Sequence, residues 1–268
     1  DVMLAYTATA RFPYDHEYLA AKADLVVEYT NQALHKSIVN VELRLAWVGE
    51  VAEPPPYSGS FPAITPEINS IRDAVGADLA AFYFGGNGNA YGNLFGPYTW
   101  FFQLNEWYFS HEVGHNLGSH HENGDGEGYY PYSNGYRFGP VTNGTYAYGD
   151  IMTYHNRDVL VRQYSNPDVL HKYYATGVDY AIDPVNAADS ARTFRELAPT
   201  IAGWRVRVIQ PPNPPSGPAT GNNTASYTFS TSAIDPDGGT VQYTFDWGDG
   251  TTSTISGASG ATVTASHT

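Results

Sequence analysis

The chain has 268 residues, of which 42 % are hydrophobic, and this is enough to bury a core in one large domain or in a large and a small one. Its formal net charge of −14, from 13 Lys and Arg against 27 Asp and Glu, disfavours nucleic acids and anionic membranes as partners. Cysteine is absent, which excludes disulfides, thiolate metal sites and cysteine nucleophiles. No apolar run approaches the length of about 18 residues that predicts a membrane-spanning helix.

Strand and helix patterns alternate through the first part of the chain. Apolar stretches bounded by polar residues indicate strands, and apolar residues at intervals of three and four indicate helices. The predicted elements are strand 2–7, helix 14–36, strand 39–51, helix 65–76, strand 78–84, two strands within 88–95 and 99–104, a histidine-rich helix and a closing helix at 187–204. This order predicts an α/β (α+β) domain in which helices cover the faces of a sheet.

The composition changes at Gln210, after which the sequence PPNPPSGPATG contains five prolines and little that could pack. Such a stretch is typical of a stiff, extended linker. The sequence therefore predicts three parts: a large domain at 1–209, a proline-rich linker at 210–220 and a small module at 221–268.

The small module shows a strand pattern. Val241, Tyr243 and Phe245 alternate with polar residues between Asp-Gly pairs, which indicates short antiparallel strands of a β-sandwich. The stretches DPDGG (235–239) and FDWGDG (245–250) resemble the PKD domain, an immunoglobulin-like module of extracellular bacterial enzymes. The resemblance implies a small all-β, immunoglobulin-like C-terminal module that is a partial PKD-like domain and acts as a spacer.

Residues 111–121 have the sequence HEVGHNLGSHH and contain four of the nine histidines in the chain. In a helix, His111 and His115 lie one turn apart on the same face, where both rings can bind a single metal ion. Imidazole nitrogens are good zinc ligands and are neutral enough to bind at physiological pH. Glu112 is placed where its carboxylate can reach a water molecule at the metal without being a ligand itself.

Gly118 and the spacing of the two histidines after it indicate which residue is the third ligand. Glycine tolerates the left-handed backbone that ends helices, so the chain can turn back toward the metal at this point. His121 has the spacing of a ligand, whereas His120 does not and is predicted to face outward or to contact a ligand. Three neutral protein ligands leave a fourth position open, which is typical of a catalytic zinc site. The chemistry predicted is peptide-bond hydrolysis with Glu112 as general base.

The motif at 111–121, together with GDIMTY at 149–154, resembles the metzincin clan of zinc metallopeptidases. The large domain looks like the bacterial reprolysin-like (adamalysin-like) secreted peptidases, and further support comes from the stretches at 78–95, 164–169 and 188–192. The resemblance implies a five-stranded twisted mixed sheet and an active-site helix. It also implies a secreted protein whose N-terminal pro-segment has been removed, in agreement with the absence of an initiator Met.

The resemblance assigns roles to individual residues. It implies that His111, His115 and His121 bind one catalytic zinc ion and that Glu112 is the general base. Met152 would lie beneath the site as a structural floor and would not be a ligand. The expected cofactor is therefore Zn²⁺.

Two further sets of residues follow from the resemblance. Asn89, Ala90, Tyr91 and Gly92 would belong to the edge strand, whose backbone pairs with an extended substrate. Tyr154 would either bind the zinc ion or stabilise the oxyanion that develops during the reaction.

Three expectations concern the surroundings of the site. Glu122 is expected to brace the active-site turn, and the segment NGDGEG at 123–128 could hold a calcium ion. Arg137, Arg157 and Arg162 could line the pocket for the substrate side chain after the scissile bond and favour an acidic residue there.

The sequence as a whole predicts a secreted, monomeric zinc endopeptidase that acts on proteins or peptides. The alternative is a catalytically silent metzincin scaffold that binds an extracellular matrix or a polysaccharide. The presence of Glu112 argues against the alternative, because an inactive scaffold has no need of a general base.

Overall fold

The computed structural model describes residues 1–54, 64–86, 90–154, 159–205, 212–235 and 239–268. The chain forms two compact units, Asp1–Val206 and Arg207–Thr268. The described residues of the first unit form a mixed α/β structure with five helices and a five-stranded sheet, and those of the second unit contain strands and no helix.

Each helix of the first unit begins at a side chain that accepts a hydrogen bond from a backbone N–H of the first turn. The capping residues are Thr7, Asp15, Thr65, Asn105 and Asp189. The helices are α1 (Ala8–Arg11), α2 (His16–Lys36), α3 (Pro66–Val75), α4 (Glu106–Asn116) and α5 (Ser190–Ile201).

Five strands of the first unit form its central sheet. They are β1 (Val2–Tyr6), β2 (Leu45–Glu50), β3 (Leu79–Tyr83), β4 (Tyr91–Gly92) and β5 (Tyr98–Phe101). Their order is β2-β1-β3-β5-β4, and all neighbours are parallel except the edge strand β4, which runs antiparallel to β5. The prediction of a five-stranded mixed sheet is confirmed.

The remaining strands of the first unit form smaller sheets after helix α4. They are β6 (His120–Glu122), β7 (Asn134–Gly135), β8 (Arg137–Thr142), β9 (Thr145–Gly149), β10 (Val159–Leu160), β11 (Leu170–His171) and β12 (Tyr174–Ala175). Strand β6 pairs with β7, β9 lies between β8 and β10, and β11 pairs with β12.

Helices cover both faces of the central sheet, as the alternation along β1 shows. Val2, Leu4 and Tyr6 belong to a core cluster that includes residues of α2, α4 and α5. Met3 and Ala5 belong to a second cluster, into which α3 packs. Because successive strand residues point to opposite faces, both faces of β1 are buried, and the sheet forms the middle layer of the unit.

The strand β2 begins six residues later than the sequence predicted. The alternation at 39–51 predicted a strand over the whole range, but β2 begins at Leu45. The side chain of Asn31 in α2 donates to the Leu43 carbonyl at 2.9 Å and accepts from the Leu43 N–H at 2.8 Å. Both backbone groups of Leu43 are therefore bonded to the helix and cannot extend the strand.

The second unit contains strands β13 (Tyr227–Thr231), β14 (Thr240–Asp246), β15 (Thr252–Ala258) and β16 (Val263–His267). β13 pairs antiparallel with β16, and β14 pairs antiparallel with β15. Val241, Tyr243 and Phe245 alternate into a shared apolar cluster, as their spacing predicted. In the segment predicted as a linker, the backbone of Ser216 bridges to Ser230 of β13.

No helix in the described part of the chain combines the length and the apolar character that crossing a membrane requires.

Candidate metal centre

Helix α4 carries two histidines and a glutamate into the interior of the first unit. Residues 109–116 of this helix are all buried, and Asn105 caps its N-terminus. His111, Glu112 and His115 are 7 %, 5 % and 7 % exposed. Polar side chains buried to this extent need hydrogen-bond partners or a bound ion, because their desolvation is otherwise unfavourable.

The rings of His111, His115 and His121 converge. The Nε2 atom of His121 lies 3.2 Å from the Nε2 atom of His111 and 3.2 Å from that of His115. His121 belongs to β6, and the chain reaches it through Gly118, whose φ of +96° makes the turn after the helix. The structure therefore brings together the three histidines that the spacing predicted as ligands.

The opposite ring nitrogens of these histidines each contact an oxygen atom. The contacts are His111 Nδ1 to the Ile151 carbonyl at 2.7 Å, His115 Nδ1 to the Ser119 carbonyl at 2.8 Å, and His121 Nδ1 to Asp125 Oδ2 at 2.8 Å. Because carbonyl and carboxylate oxygens accept hydrogen bonds, each Nδ1 carries a proton and each Nε2 presents its lone pair to the centre of the cluster. A cation between the three lone pairs would stabilise this arrangement.

The donor set fits a zinc ion. Two nitrogens on one tetrahedral zinc lie about 3.3–3.4 Å apart when each zinc–nitrogen bond is about 2.0–2.1 Å long. Burial lowers the pKa of His111 to about 4, and it lowers the pKa of His115 well below the ordinary value. Both rings are therefore neutral at physiological pH, as metal binding requires. The cluster of His111, His115 and His121 could hold a metal ion.

Glu112 lies beside the cluster, with its Oε2 atom 4.0 Å from His115 Nε2. Burial raises the pKa of the Glu112 carboxyl to about 8, and a hydrogen bond from the Gly92 backbone acts in the opposite direction. A divalent cation at the cluster would favour the ionised carboxylate. The position and the burial of Glu112 therefore suit a group that exchanges a proton near neutral pH.

Met152 is fully buried against helix α4. A Cβ atom built on Gly114 would lie 2.2 Å from the Met152 sulfur, so the glycine leaves the room that the thioether occupies. Met152 lies in a turn at residues 150–153, which is held by Asp150, whose Oδ1 atom accepts from the Met152 N–H at 2.9 Å. The Ile151 carbonyl of the same turn contacts His111, so this turn supports one ring of the cluster.

Tyr154 lies next to the cluster and is held through its backbone. Its ring centroid is 4.1 Å from that of His121. Glu122 Oε2 accepts from the Tyr154 N–H at 3.2 Å, and the Arg137 guanidinium donates to the Tyr154 carbonyl. Glu122 and Arg137 also form an ion pair at 2.8 Å. Glu122 therefore braces the turn at Tyr154 beside the histidine cluster, as expected from the sequence.

The expected arginine-lined pocket is wrong for two of its three residues. Arg137 is paired with Glu122, and Arg162 donates to Gln32 at 2.7 Å and lies over the ring of Tyr29. Neither lines the cleft at the histidine cluster. Contacts within the first unit hold the side chains of Arg137 and Arg162. These contacts join residues far apart in the chain, so the positions of the two arginines in the sequence did not indicate them. Arg157 lies outside the described residues.

His120 adopts the second of its two predicted positions, in contact with a histidine of the cluster. Its ring is partly buried, lines the cleft and lies with its centroid 4.6 Å from that of His121. A Cβ on Gly126 would come within 2.3 Å of this ring, so the glycine provides the space that the ring fills. His120 is outside the His111, His115 and His121 cluster and is not required as its ligand.

A cleft of about 710 Å³ opens onto the cluster. Ala90, Tyr91 and Gly92 line one side of it, where β4 forms the edge of the sheet. Trp107 of helix α4 also lines the cleft. Asn89, predicted with the edge strand, lies outside the described residues. The open side of β4 thus faces a space in which an extended chain could lie.

The groups that hold the three histidine rings were not predicted from the sequence. The carbonyls of Ser119 and Ile151 carry no signal in the side-chain sequence. Asp125 does carry one, because a carboxylate four residues after His121 can return to it across a tight turn. The calcium ion expected at 123–128 stays a prediction, and one carboxylate oxygen of that segment is bonded to His121.

No family model matches this chain, and no curated protein matches it. A solved structure described as "Structure of a chaperone-substrate complex" contains a similar chain, with a TM-score of 0.60 and 16 % sequence identity. The similarity covers 77 % of this chain and 38 % of that one, so this chain spans well under half of the length of its structural relative. At this identity the likeness concerns the fold alone.

Proposed function

We propose that this chain is a secreted zinc-dependent endopeptidase of the metzincin type, which hydrolyses internal peptide bonds of proteins. One observation carries the proposal: three histidine lone pairs converge beside the buried carboxyl group of Glu112 at the base of a cleft. The open strand β4 on the wall of that cleft supports a polypeptide as substrate. The second unit would be a PKD-like, immunoglobulin-like spacer, and the chain would act as a monomer.

His111, His115 and His121 would hold the zinc ion, and their three neutral nitrogens leave a position free for substrate or water. When bound, zinc supplies Lewis acidity that polarises a carbonyl oxygen and lowers the pKa of water. The carbonyl partners of His111 and His115 fix both rings, so the donor atoms need little rearrangement on binding.

Glu112 would move the proton during hydrolysis. Its carboxylate accepts a proton from the attacking water and delivers it to the nitrogen of the leaving amine. Burial in α4 keeps bulk water away from this carboxylate, so the proton passes between the reacting groups. The backbone of Tyr91 and Gly92 would pair with the substrate and align its scissile bond with Glu112.

Replacing Tyr154 by Phe is expected to lower kcat by up to about 100-fold, because the hydroxyl would no longer donate to the developing oxyanion. Partial burial and the nearby carboxylates raise the pKa of this hydroxyl, so it stays protonated and able to donate at neutral pH. Steady-state kinetics and the zinc content of the purified variant check the prediction. Tyr146→Phe, which removes a hydroxyl from β9, is the control; equal kcat for both variants would remove the role of Tyr154.

The proposed function is tested by incubating the purified chain with a casein and analysing the products by mass spectrometry. We expect new termini inside the casein sequence, loss of cleavage with a zinc chelator and recovery when zinc is added back. Tight zinc binding without cleavage of casein or of a diverse peptide library would instead favour the catalytically silent scaffold.

A further inference from the structure

His121 is held differently from the other two histidines of the cluster. His111 and His115 belong to the buried helix α4, and their Nδ1 atoms contact backbone carbonyls. His121 lies on the short strand β6 after the helix, and its Nδ1 atom contacts the side chain of Asp125 at 2.8 Å. Its orientation is therefore the one in this cluster that a single side-chain substitution can change directly.

The contact with Asp125 sets which nitrogen of His121 enters the cluster. Rotating an imidazole ring by 180° about its bond to Cβ exchanges the nitrogen-bearing and carbon-bearing sides of the ring. A hydrogen-bond partner of one ring nitrogen favours one of these two orientations. The Asp125 carboxylate accepts the Nδ1 proton and leaves the Nε2 lone pair directed at His111 and His115, 3.2 Å from each Nε2 atom. The negative charge of the carboxylate also makes the ring a stronger electron-pair donor.

The turn that follows His121 brings Asp125 back to it. The Asp125 N–H donates to the Glu122 carbonyl at 3.1 Å, which closes the turn, and Gly124 has a φ of +96° that favours glycine. A residue outside the turn also holds it in place, because Glu122 at its start forms an ion pair at 2.8 Å with Arg137 of β8. The carboxylate is thus presented to His121 by a defined loop.

Asp125 also distinguishes between two adjacent histidines. The rings of His120 and His121 lie with their centroids 4.6 Å apart, and both border the cleft. The Asp125 carboxylate is hydrogen-bonded to His121, whereas His120 Nδ1 is buried without a hydrogen-bond partner among the described residues. Asp125 therefore forms its hydrogen bond with His121, the histidine whose Nε2 atom belongs to the cluster.

We infer that Asp125 is a positioning residue, which holds the His121 ring in its metal-binding orientation and strengthens zinc binding by the three histidines. This inference rests on the proposed function in one respect, namely that His111, His115 and His121 bind zinc. Asp125 itself contributes no atom to that cluster.

The test is the zinc affinity of the full chain, measured by competition with a chromophoric chelator. Asp125→Ala is expected to weaken zinc binding by about 10- to 100-fold, the usual effect of removing such a partner. Asp125→Asn should fall between wild type and Asp125→Ala, because the amide oxygen still accepts the Nδ1 proton but carries no charge. Glu127→Gln, which removes a nearby negative charge from an exposed side chain, should change the affinity by less than about threefold.

Cobalt-substituted protein provides a second measurement, since the visible absorption bands of Co²⁺ report the geometry of its ligands. We expect Asp125→Ala to shift these bands and Glu127→Gln to leave them as in wild type. Asp125 is exposed, so the melting temperature of the metal-free variant should match that of the wild type. Equal zinc affinity and equal cobalt spectra for wild type and Asp125→Ala would overturn the inference. A wild type that binds no zinc would overturn the proposed function, and this inference with it.

Discussion

Replacing Glu112 by Gln is expected to reduce kcat/KM for peptide hydrolysis by about 10²- to 10⁴-fold, the usual contribution of general acid–base catalysis. Glutamine has the shape of glutamate but cannot accept the proton of the attacking water. Glu112 is 5 % exposed and its carboxylate lies 4.0 Å from His115 Nε2, whereas Glu127, the other acid in the described lining of the cleft, is exposed to solvent. The measurement is kcat/KM on a fluorogenic peptide, with zinc content determined on the same sample.

Zinc binding should survive this substitution, because the group that could hold the metal ion consists of His111, His115 and His121 and does not include Glu112. Glu106→Gln is a matched control on the same helix: it removes an ion pair with Lys22 at 2.9 Å, away from the histidine cluster. Its kcat/KM should stay within about threefold of wild type, as expected for a partly exposed ion pair. Wild-type activity in Glu112→Gln at full zinc content would show that another group moves the proton.

Replacing Gly92 by Ala is expected to destabilise the first unit by about 1–3 kcal/mol, the usual cost of overpacking. A Cβ atom on Gly92 would lie 2.5 Å from the Glu112 carbonyl oxygen and 3.1 Å from its carbonyl carbon. These are backbone atoms of the buried helix α4, so the edge strand β4 must move outward. Urea unfolding measures the free energy, and the same shift of β4 should lower activity, since β4 lines the cleft.

The control for this substitution is Gly203→Ala, near the end of α5. A Cβ there would lie 3.6 Å from the Thr200 carbonyl oxygen, an ordinary contact, and the residue is exposed. Its free energy of unfolding should change by less than about 0.5 kcal/mol, as surface substitutions usually do. Equal stability of the two variants would mean that β4 and α4 do not approach as closely as the structure describes.

Short-range spacing made much of the candidate site predictable from the sequence. His111, Glu112 and His115 lie within five residues of one helix, so the 3.6-residue period alone fixes their relative positions. His121 follows after a glycine that ends the helix, and its convergence with the other two histidines matches the predicted spacing. The zinc ion, the general-base role of Glu112 and the peptidase activity stay predictions.

What the sequence did not predict depends on contacts between distant segments. The Ile151 carbonyl reaches His111 across 40 residues of chain, and Arg137 reaches Tyr154 across 17. Such contacts follow from how the segments after α4 fold back onto the helix, and no local pattern encodes them. For the same reason β2 begins later than its alternation indicated, because a side chain from α2 takes up the Leu43 backbone.

In the proposed function, one zinc ion held by His111, His115 and His121 makes this chain a peptidase. The most direct measurement is a titration of metal-free protein with zinc, in which bound zinc and peptide hydrolysis are followed in the same samples. We expect activity to rise in proportion to bound zinc and to level off at one zinc per chain, and His111→Ala to remain inactive throughout. Peptide hydrolysis at full rate in metal-free protein, or in His111→Ala, would contradict it.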